Sequence, residues 1–330
     1  MTTRHPDTRG FNFDERTGQL TTTLSIPTPE TFRFRETLHY LTRSPAELLH
    51  QVEGDRVYKL LELGKDGLPQ IVEIAENAGQ LEIRLAVTGD RTGTFDEKVI
   101  LKKAADYVRE WFDLDRDLSP FYDLATDNPL LEPLTRDFYG LRIIGVPDLF
   151  EALCWAIIGQ QVNLTFAYTL KKRLVETYGR SVTWNNRTHW RFPRPAELLQ
   201  QATVEKLRQL QLTGKKAEFL LGIAQLMEED SLSKPALLAA VAEAGGDFRA
   251  AEELLTAIRG IGPWTAHYVG MRCLRNPQAL PVGDAGLQNA LKQLLRLDRK
   301  PTEPEIRQLF APWRGWEAYA VFYFWRSLAG

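Results

Sequence analysis

Leu254-Leu-Thr-Ala-Ile-Arg-Gly-Ile-Gly-Pro-Trp-Thr-Ala-His-Tyr-Val-Gly270 reads as two helical patterns joined by a tight turn, Gly260-Ile-Gly262. Two glycines let the backbone take otherwise costly dihedrals and approach a partner closely. Pro263 suits the first turn of the second helix, where its missing N–H would be unpaired anyway. The amides of that turn then face outward, and a helix start with free N–H groups is an anion site, so a phosphodiester can dock there without any lysine. A plain helix–helix connector would carry the same glycines, and the turn alone does not decide between the two.

About twenty residues further on stands Leu280-Pro-Val-Gly-Asp-Ala-Gly-Leu287, in which a single acid, Asp284, precedes a helix marked by Leu287, Leu291, Leu294 and Leu295. Aspartate is a preferred N-cap, and capping alone would explain it. The position also favours the ionised carboxylate, and an ionised acid can steady a cation. Cleavage of an N-glycosidic bond develops positive charge on the sugar, so a fixed anion beside that carbon lowers the barrier.

Around these two motifs the chain has 330 residues, 44% hydrophobic and 25% charged, an ordinary globular composition that excludes disorder. The formal charge of −2 is unevenly spread, −8 over residues 1–140, +6 over 141–220 and zero over 221–330. Any nucleic-acid role must therefore rest on a local patch. Cys154 and Cys273 are the only cysteines, too few for a disulfide framework or a four-thiolate cluster, which points to a reducing compartment. The first residues lack an apolar signal core, and the longest near-apolar run, Ala318 to Trp325, is too short to span a bilayer. The expectation is a soluble, intracellular protein without membrane contact.

The first third carries strand patterning at Gln19–Ile26, Val57–Glu62, Gln70–Ile74 and Leu81–Val87, with turns at Gly64-Lys-Asp-Gly67 and Asn77-Ala-Gly79 and one helix, about Pro29 to Thr42. Thr94-Phe-Asp-Glu97 resembles a capping box, and the pattern then turns helical, with Val99, Ala104, Val108 and Phe112 on one stripe. Helices are expected at about 147–160, 164–178, 195–210, 214–228, 249–259, 264–275, 285–297 and 315–328. Arg180 to Arg194 reads as a polar loop. The boundary falls near Asp113–Pro120, dividing the chain into residues 1–117 and 118–330. The fold class is α+β: an N-terminal antiparallel β-sheet domain with helices, followed by an all-α region in two helical subdomains.

The spacing of hairpin, second helix, proline and Gly283-Asp284 resembles the helix-hairpin-helix superfamily of DNA base-excision glycosylases. Leu141 to Asn163, Leu212-Thr-Gly-Lys-Lys-Ala217 and Trp313 to Trp325 are similar to the corresponding blocks of its alkylation-repair branch, the DNA-3-methyladenine glycosylase II family. The resemblance covers most of the chain. It implies a glycosylase that flips a damaged nucleotide out of duplex DNA into an aromatic pocket and hydrolyses it from the sugar. It places Asp284 as the catalytic acid and Trp264, Tyr268, Trp325 and Tyr40 in the base pocket. Gly260, Gly262, Thr265, Gln161, Thr213, Gly214 and Lys215 become DNA-binding positions, with Gln161 where the family inserts a gap-filling side chain. Strand-cutting members hold a lysine at the position of Trp264, so the resemblance implies a monofunctional hydrolase.

Trp325 has an argument of its own. On a helical wheel it lies opposite Trp316 and Tyr323, so that helix needs two buried faces. Thr213-Gly-Lys-Lys216 offers an amide-rich turn and two cations for phosphates, or equally a solvated helix start. The histidines, among them His39 and His267, lack metal-ligand spacing and read as structural. No metal and no cofactor are expected, a monovalent cation at the hairpin turn being left open. The expected partner is double-stranded DNA with alkylated bases, bound by a cytoplasmic, nucleoid-associated monomer. The alternative class is a DNA-binding or damage-sensing module without catalysis.

Overall fold

The computed structural model describes residues 11–14, 19–63, 69–87 and 97–328. Strands β1 (Phe11–Asp14), β2 (Gln19–Pro27), β3 (Gln51–Glu53), β4 (Arg56–Glu62), β5 (Pro69–Asn77) and β6 (Gln80–Val87) form one antiparallel sheet in the order β1-β2-β6-β5-β4-β3. Alternation along each strand sets its two faces. Val57, Leu61, Val72, Ile74, Leu81, Ile83 and Leu85 point inward into the main core, while Leu60, Ile71 and Ala86 form a small cluster on the other face. The turn expected at Gly64–Gly67 and the box expected at Thr94–Glu97 lie, wholly or in their defining part, outside the described residues.

Helix α1 (Phe34–Leu41) is shorter than the expected Pro29–Thr42. Phe32 N–H closes a turn on the Pro29 carbonyl, and Arg33 N–H is taken by the Gly140 carbonyl, so the first helical turn cannot begin at Pro29. After α2 (Glu97–Trp111) the chain turns at Asp113, whose φ is +46°. That turn is packed: the buried Arg142 donates to the carbonyls of Asp113 (2.6 Å) and Arg116 (2.7 Å) and to Thr31 Oγ1 (3.0 Å). The Asp113 carboxylate accepts from Tyr319 OH at 2.6 Å. Sheet and helices thus share one continuous core.

Helices α3 (Ser119–Thr126), α4 (Leu131–Asp137), α5 (Leu149–Gly159) and α6 (Leu164–Tyr178) follow. The polar loop expected at 180–194 is instead a hairpin, β7 (Arg180–Trp184) and β8 (Arg187–Arg191), turning through Asn185 and Asn186, both at positive φ. Val182 and Trp184 cover the outer cluster of the sheet, and Arg180, Arg191 and Arg194 converge on the buried Glu62 side chain. The hairpin therefore straps the helical region to the outer face of the sheet.

The single helix expected at 195–210 is two, α7 (Pro195–Gln201) and α8 (Val204–Gln209), because Thr203 starts a new helix by accepting from Lys206 N–H. The remainder is α9 (Gly214–Glu228), α10 (Lys234–Glu243), α11 (Arg249–Thr256), α12 (Pro263–Arg272), α13 (Ala285–Leu294), α14 (Glu303–Phe310) and α15 (Glu317–Arg326). Helix α15 is buried on nearly every side, as its wheel requires.

Candidate active site and DNA-binding hairpin

The turn between α11 and α12 is shaped by Gly260, at φ +94°, where a Cβ would stand 2.3 Å from the Phe219 ring. Gly262 caps α12 in extended conformation, is exposed, and has open space where a side chain would be. The first N–H groups of α12 have no partner within the helix and remain for an external acceptor. Gln160 braces the turn, its Nε2 donating to the Gly260 carbonyl and to Thr265 Oγ1, both at 3.0 Å. The Thr265 side chain is consequently buried, so a DNA contact from this position would be made by its backbone amide.

Lys216 changes role too. It is buried, and its ammonium donates to the carbonyls of Ile158 (2.8 Å) and Gln160 (2.7 Å), closing the C-terminus of α5 rather than facing phosphate. Burial lowers its pKa. Part of the basic middle third is spent in the same way: Lys171 pairs with Glu47 at 3.1 Å and Glu151 at 3.3 Å, Arg142 is internal, and Arg191 is enclosed against Glu62 while Arg180 and Arg194 reach the same carboxylate from the surface. Thr213, Lys215 and Arg208 stay on the surface, Thr213 capping α9. The local basic patch expected from the charge count is thus reduced to a few exposed cations, with the hairpin amides beside them.

Next to the hairpin opens a cleft of about 1130 Å³, lined among others by Tyr40, Trp155, Trp264, Tyr268, Asp284 and Trp325. The sequence motifs converge here from α1, α5, α12, α13 and α15. Asp284 is the N-cap of α13 and a wall of the cleft at once. Its Oδ1 accepts from Leu287 N–H at 2.7 Å and from Trp325 Nε1 at 2.8 Å, and its Oδ2 accepts from Trp264 Nε1 at 3.1 Å. Three donors on two oxygens fix the carboxylate and fix both indoles around it. Close approach is allowed by Gly286, where a Cβ would lie 3.0 Å from Asp284 Oδ1 and 3.2 Å from Trp325 Cδ1.

Tyr268 sits between the two indoles, its ring centroid 5.6 Å from Trp264 and 6.0 Å from Trp325. Trp155 Nε1 donates to Tyr268 OH at 2.7 Å, as does Arg272 Nη1 at 3.0 Å. Tyr40 packs on Phe322, centroids 4.9 Å apart, and joins the same wall. Gln161 is exposed at the mouth of the cleft in left-handed conformation, φ +55°, beside the exposed Leu164.

Sequence reasoning missed Arg43, Trp155, Arg272 and Leu164, which share this cleft, and Gly286 and Gln160, which shape it. His39 was read as structural and is instead exposed on the cleft wall. His267 is structural as expected, its Nδ1 accepting from Leu280 N–H and its Nε2 lying 3.3 Å from Glu252. Among the described residues no group of three metal-ligating side chains occurs, and no helix is long and apolar enough to cross a membrane.

A tight glycine hairpin stands beside an aromatic cleft with one capping carboxylate, an arrangement suited to a phosphate backbone and to a base taken out of it. The chain belongs to the HhH-GPD superfamily of base excision DNA repair proteins, whose family model matches residues 154–315. Residues 11–153 match the model of the 8-oxoguanine DNA glycosylase N-terminal domain. The chain is 43% identical to the DNA-3-methyladenine glycosylase of Bacillus subtilis (strain 168), covering 92% of this chain and 96% of that one. It is 28% identical to DNA-3-methyladenine glycosylase 2 of Escherichia coli (strain K12), over 56% of this chain and 60% of that one. In fold it is similar to the 3-methyladenine DNA glycosylase from Archaeoglobus fulgidus, with a TM-score of 0.72 at 22% identity over 92% of this chain and 97% of that one.

Proposed function

We propose that this protein is a monofunctional DNA glycosylase that excises alkylated bases of the 3-methyladenine type from duplex DNA, leaving an abasic site. The observation that carries the reading is the Asp284 carboxylate, held in the cleft wall by Trp264, Trp325 and Leu287. The names of the Bacillus and Escherichia relatives support the substrate class.

The α11–α12 hairpin would take a phosphate on its amides, and Thr213, Gly214 and Lys215 would take another on the start of α9. The target nucleotide then leaves the stack and enters the cleft between the aromatic walls, with Gln161 at the mouth filling the gap. As the C1′–N bond lengthens, positive charge grows on the sugar and the fixed carboxylate stabilises it. Water adds to C1′, its proton passes to solvent, and the bond's electron pair leaves with the base. No lysine or cysteine is among the described residues lining the cleft, which supports water over a covalent protein nucleophile. The work requires no partner subunit, so we take the monomer, bound to DNA in the cytoplasm, as the working form.

Incubation with methylated genomic DNA, followed by chromatography of the liberated bases, tests the reading. Release of methylated purines is expected, and release of no base from alkylated duplex overturns it in favour of a binding module. Borohydride trapping tests the second half. No covalent complex is expected, and a trapped one would show a lyase.

A further inference from the structure

Leu164 is 55% exposed, more than any other large apolar side chain among the described residues. A lone exposed leucine is ordinary on a protein surface, so its surroundings have to give it meaning. It is the first residue of α6, directly after the Asn163 cap, whose side-chain oxygen accepts from Phe166 N–H at 2.8 Å. Helical side chains lean toward the N-terminus, which carries this one over the mouth of the cleft beside Gln161 and Asn163.

Between Glu151 and Lys171 the chain has no charged residue, and within that stretch Gln161, Asn163, Leu164 and Thr165 are exposed. Such a protrusion offers a phosphate no cation, but its amides and its leucine suit the edges and faces of bases. It is also held in register with both segments that would take phosphates. Gln160 Nε2 donates to the Gly260 carbonyl of the hairpin, and the Gln160 carbonyl accepts from Lys216 near the start of α9. A duplex strand docked on the hairpin and on α9 therefore meets the α5–α6 turn in one fixed position. Extrusion of a nucleotide leaves the flanking base faces without a stacking partner. Glutamine answers that gap with hydrogen bonds, whereas leucine answers it with apolar contact.

We infer that Leu164 is a positioning residue that holds the duplex open: it packs on the bases flanking the extruded nucleotide, while Gln161 meets the polar edge of the orphaned partner. It keeps the target out of the stack without touching the base in the cleft. The inference rests on the glycosylase reading above and adds a second gap-filling side chain to it. Wild type, Leu164→Ala and Leu164→Met are compared in three readouts. These are single-turnover release of methylated purines from methylated duplex, affinity for undamaged duplex, and fluorescence of a 2-aminopurine placed beside an abasic-site analogue in a saturated complex. Leu164→Ala is expected to slow release about tenfold and to keep its affinity for undamaged duplex within twofold. It should also lose at least half of the fluorescence rise that wild type produces by unstacking the probe. Leu164→Met, which keeps the apolar length, should release bases within threefold of wild type. Release by Leu164→Ala within threefold of wild type would overturn the inference. Slower release with the full fluorescence rise would place the effect in the cleft instead of the stack and overturn it too, as would a parallel loss of affinity for undamaged duplex. If Leu164→Ala fails to fold, Leu164→Ser carries the comparison. Wild type that releases no base sinks the glycosylase reading, and the fluorescence rise then still decides the role of Leu164.

Discussion

Substituting Gly286 by alanine perturbs the acid's surroundings without touching the acid. Gly286 is the second residue of α13, and an alanine Cβ there would stand 3.0 Å from Asp284 Oδ1 and 3.2 and 3.3 Å from Trp325 Cδ1 and Nε1. The indole has to retreat by a few tenths of an ångström, and the 2.8 Å bond from Trp325 to Asp284 is what it loses. A hydrogen bond to a charged group contributes about 1.5 to 3 kcal/mol. Replacing glycine by alanine within a helix returns up to about 1 kcal/mol of backbone propensity. Folding stability should therefore change by no more than about 2 kcal/mol, while base release slows about tenfold as the carboxylate and one aromatic wall lose their registration. The assay is single-turnover release from a lesion duplex, read by alkaline cleavage at the abasic site, with thermal unfolding of the same preparation. Wild-type release by a Gly286→Ala protein of normal stability would refute the claim that the indoles hold the acid in place.

Gly260→Ala forces a side chain to positive φ and onto Phe219, and should destabilise the fold by more than about 2 kcal/mol in chemical denaturation, whereas Gly262→Asp should fold normally and lose DNA affinity tenfold or more in anisotropy titrations. Lys216→Met should lower stability by about 2 to 4 kcal/mol, leaving two buried carbonyls unpaired. Lys215→Ala should leave stability alone and flatten the salt dependence of DNA binding by about one phosphate contact. Burial pushes the His50 imidazole down to about 4, outweighing the attraction of Glu47. Its depressed value means that the unfolded chain binds the proton first, so stability present above pH 6.5 is lost as pH falls toward 4. Between pH 7 and pH 5 the loss is about 2 kcal/mol, and a His50→Gln protein with the same pH slope would contradict it. Below that, Glu47, which burial would raise but which the Lys171 ammonium holds at about 2, should erode stability further from pH 4.5 downward.

What the sequence disclosed was local. Strand parity located the inner face of the sheet because alternate residues must share a face, and the wheel of α15 required two buried sides because Trp325 opposes Trp316 and Tyr323. Asp284 and the α12 aromatics were legible because cap, turn and helix lie within a few residues of one another. Arg43 and Arg272 were not, since they meet over Tyr40 only after α1 is folded onto α12 from the far end of the chain. A charge count cannot distinguish a cation facing solvent from one such as Lys216 or Lys171 consumed by carbonyls or carboxylates inside. The hairpin at 180–191 was missed although it carried a signal: Asn185-Asn186 between Val182-Thr-Trp184 and the Thr188-His-Trp190 run is a turn pair suited to positive φ.

In the proposed reaction the catalytic term is the negative charge at residue 284. Asp284→Asn keeps an oxygen to cap Leu287 and accept from Trp325, but sets an amide N–H₂ against Trp264 Nε1 and removes the charge. At about 4 Å from the sugar and an effective dielectric near 20, that charge contributes about 4 kcal/mol, close to a thousandfold in rate. Single-turnover base release by Asp284→Asn should fall by about that factor, with affinity for the lesion duplex held within a few fold. Release within tenfold of wild type would place the catalytic charge elsewhere.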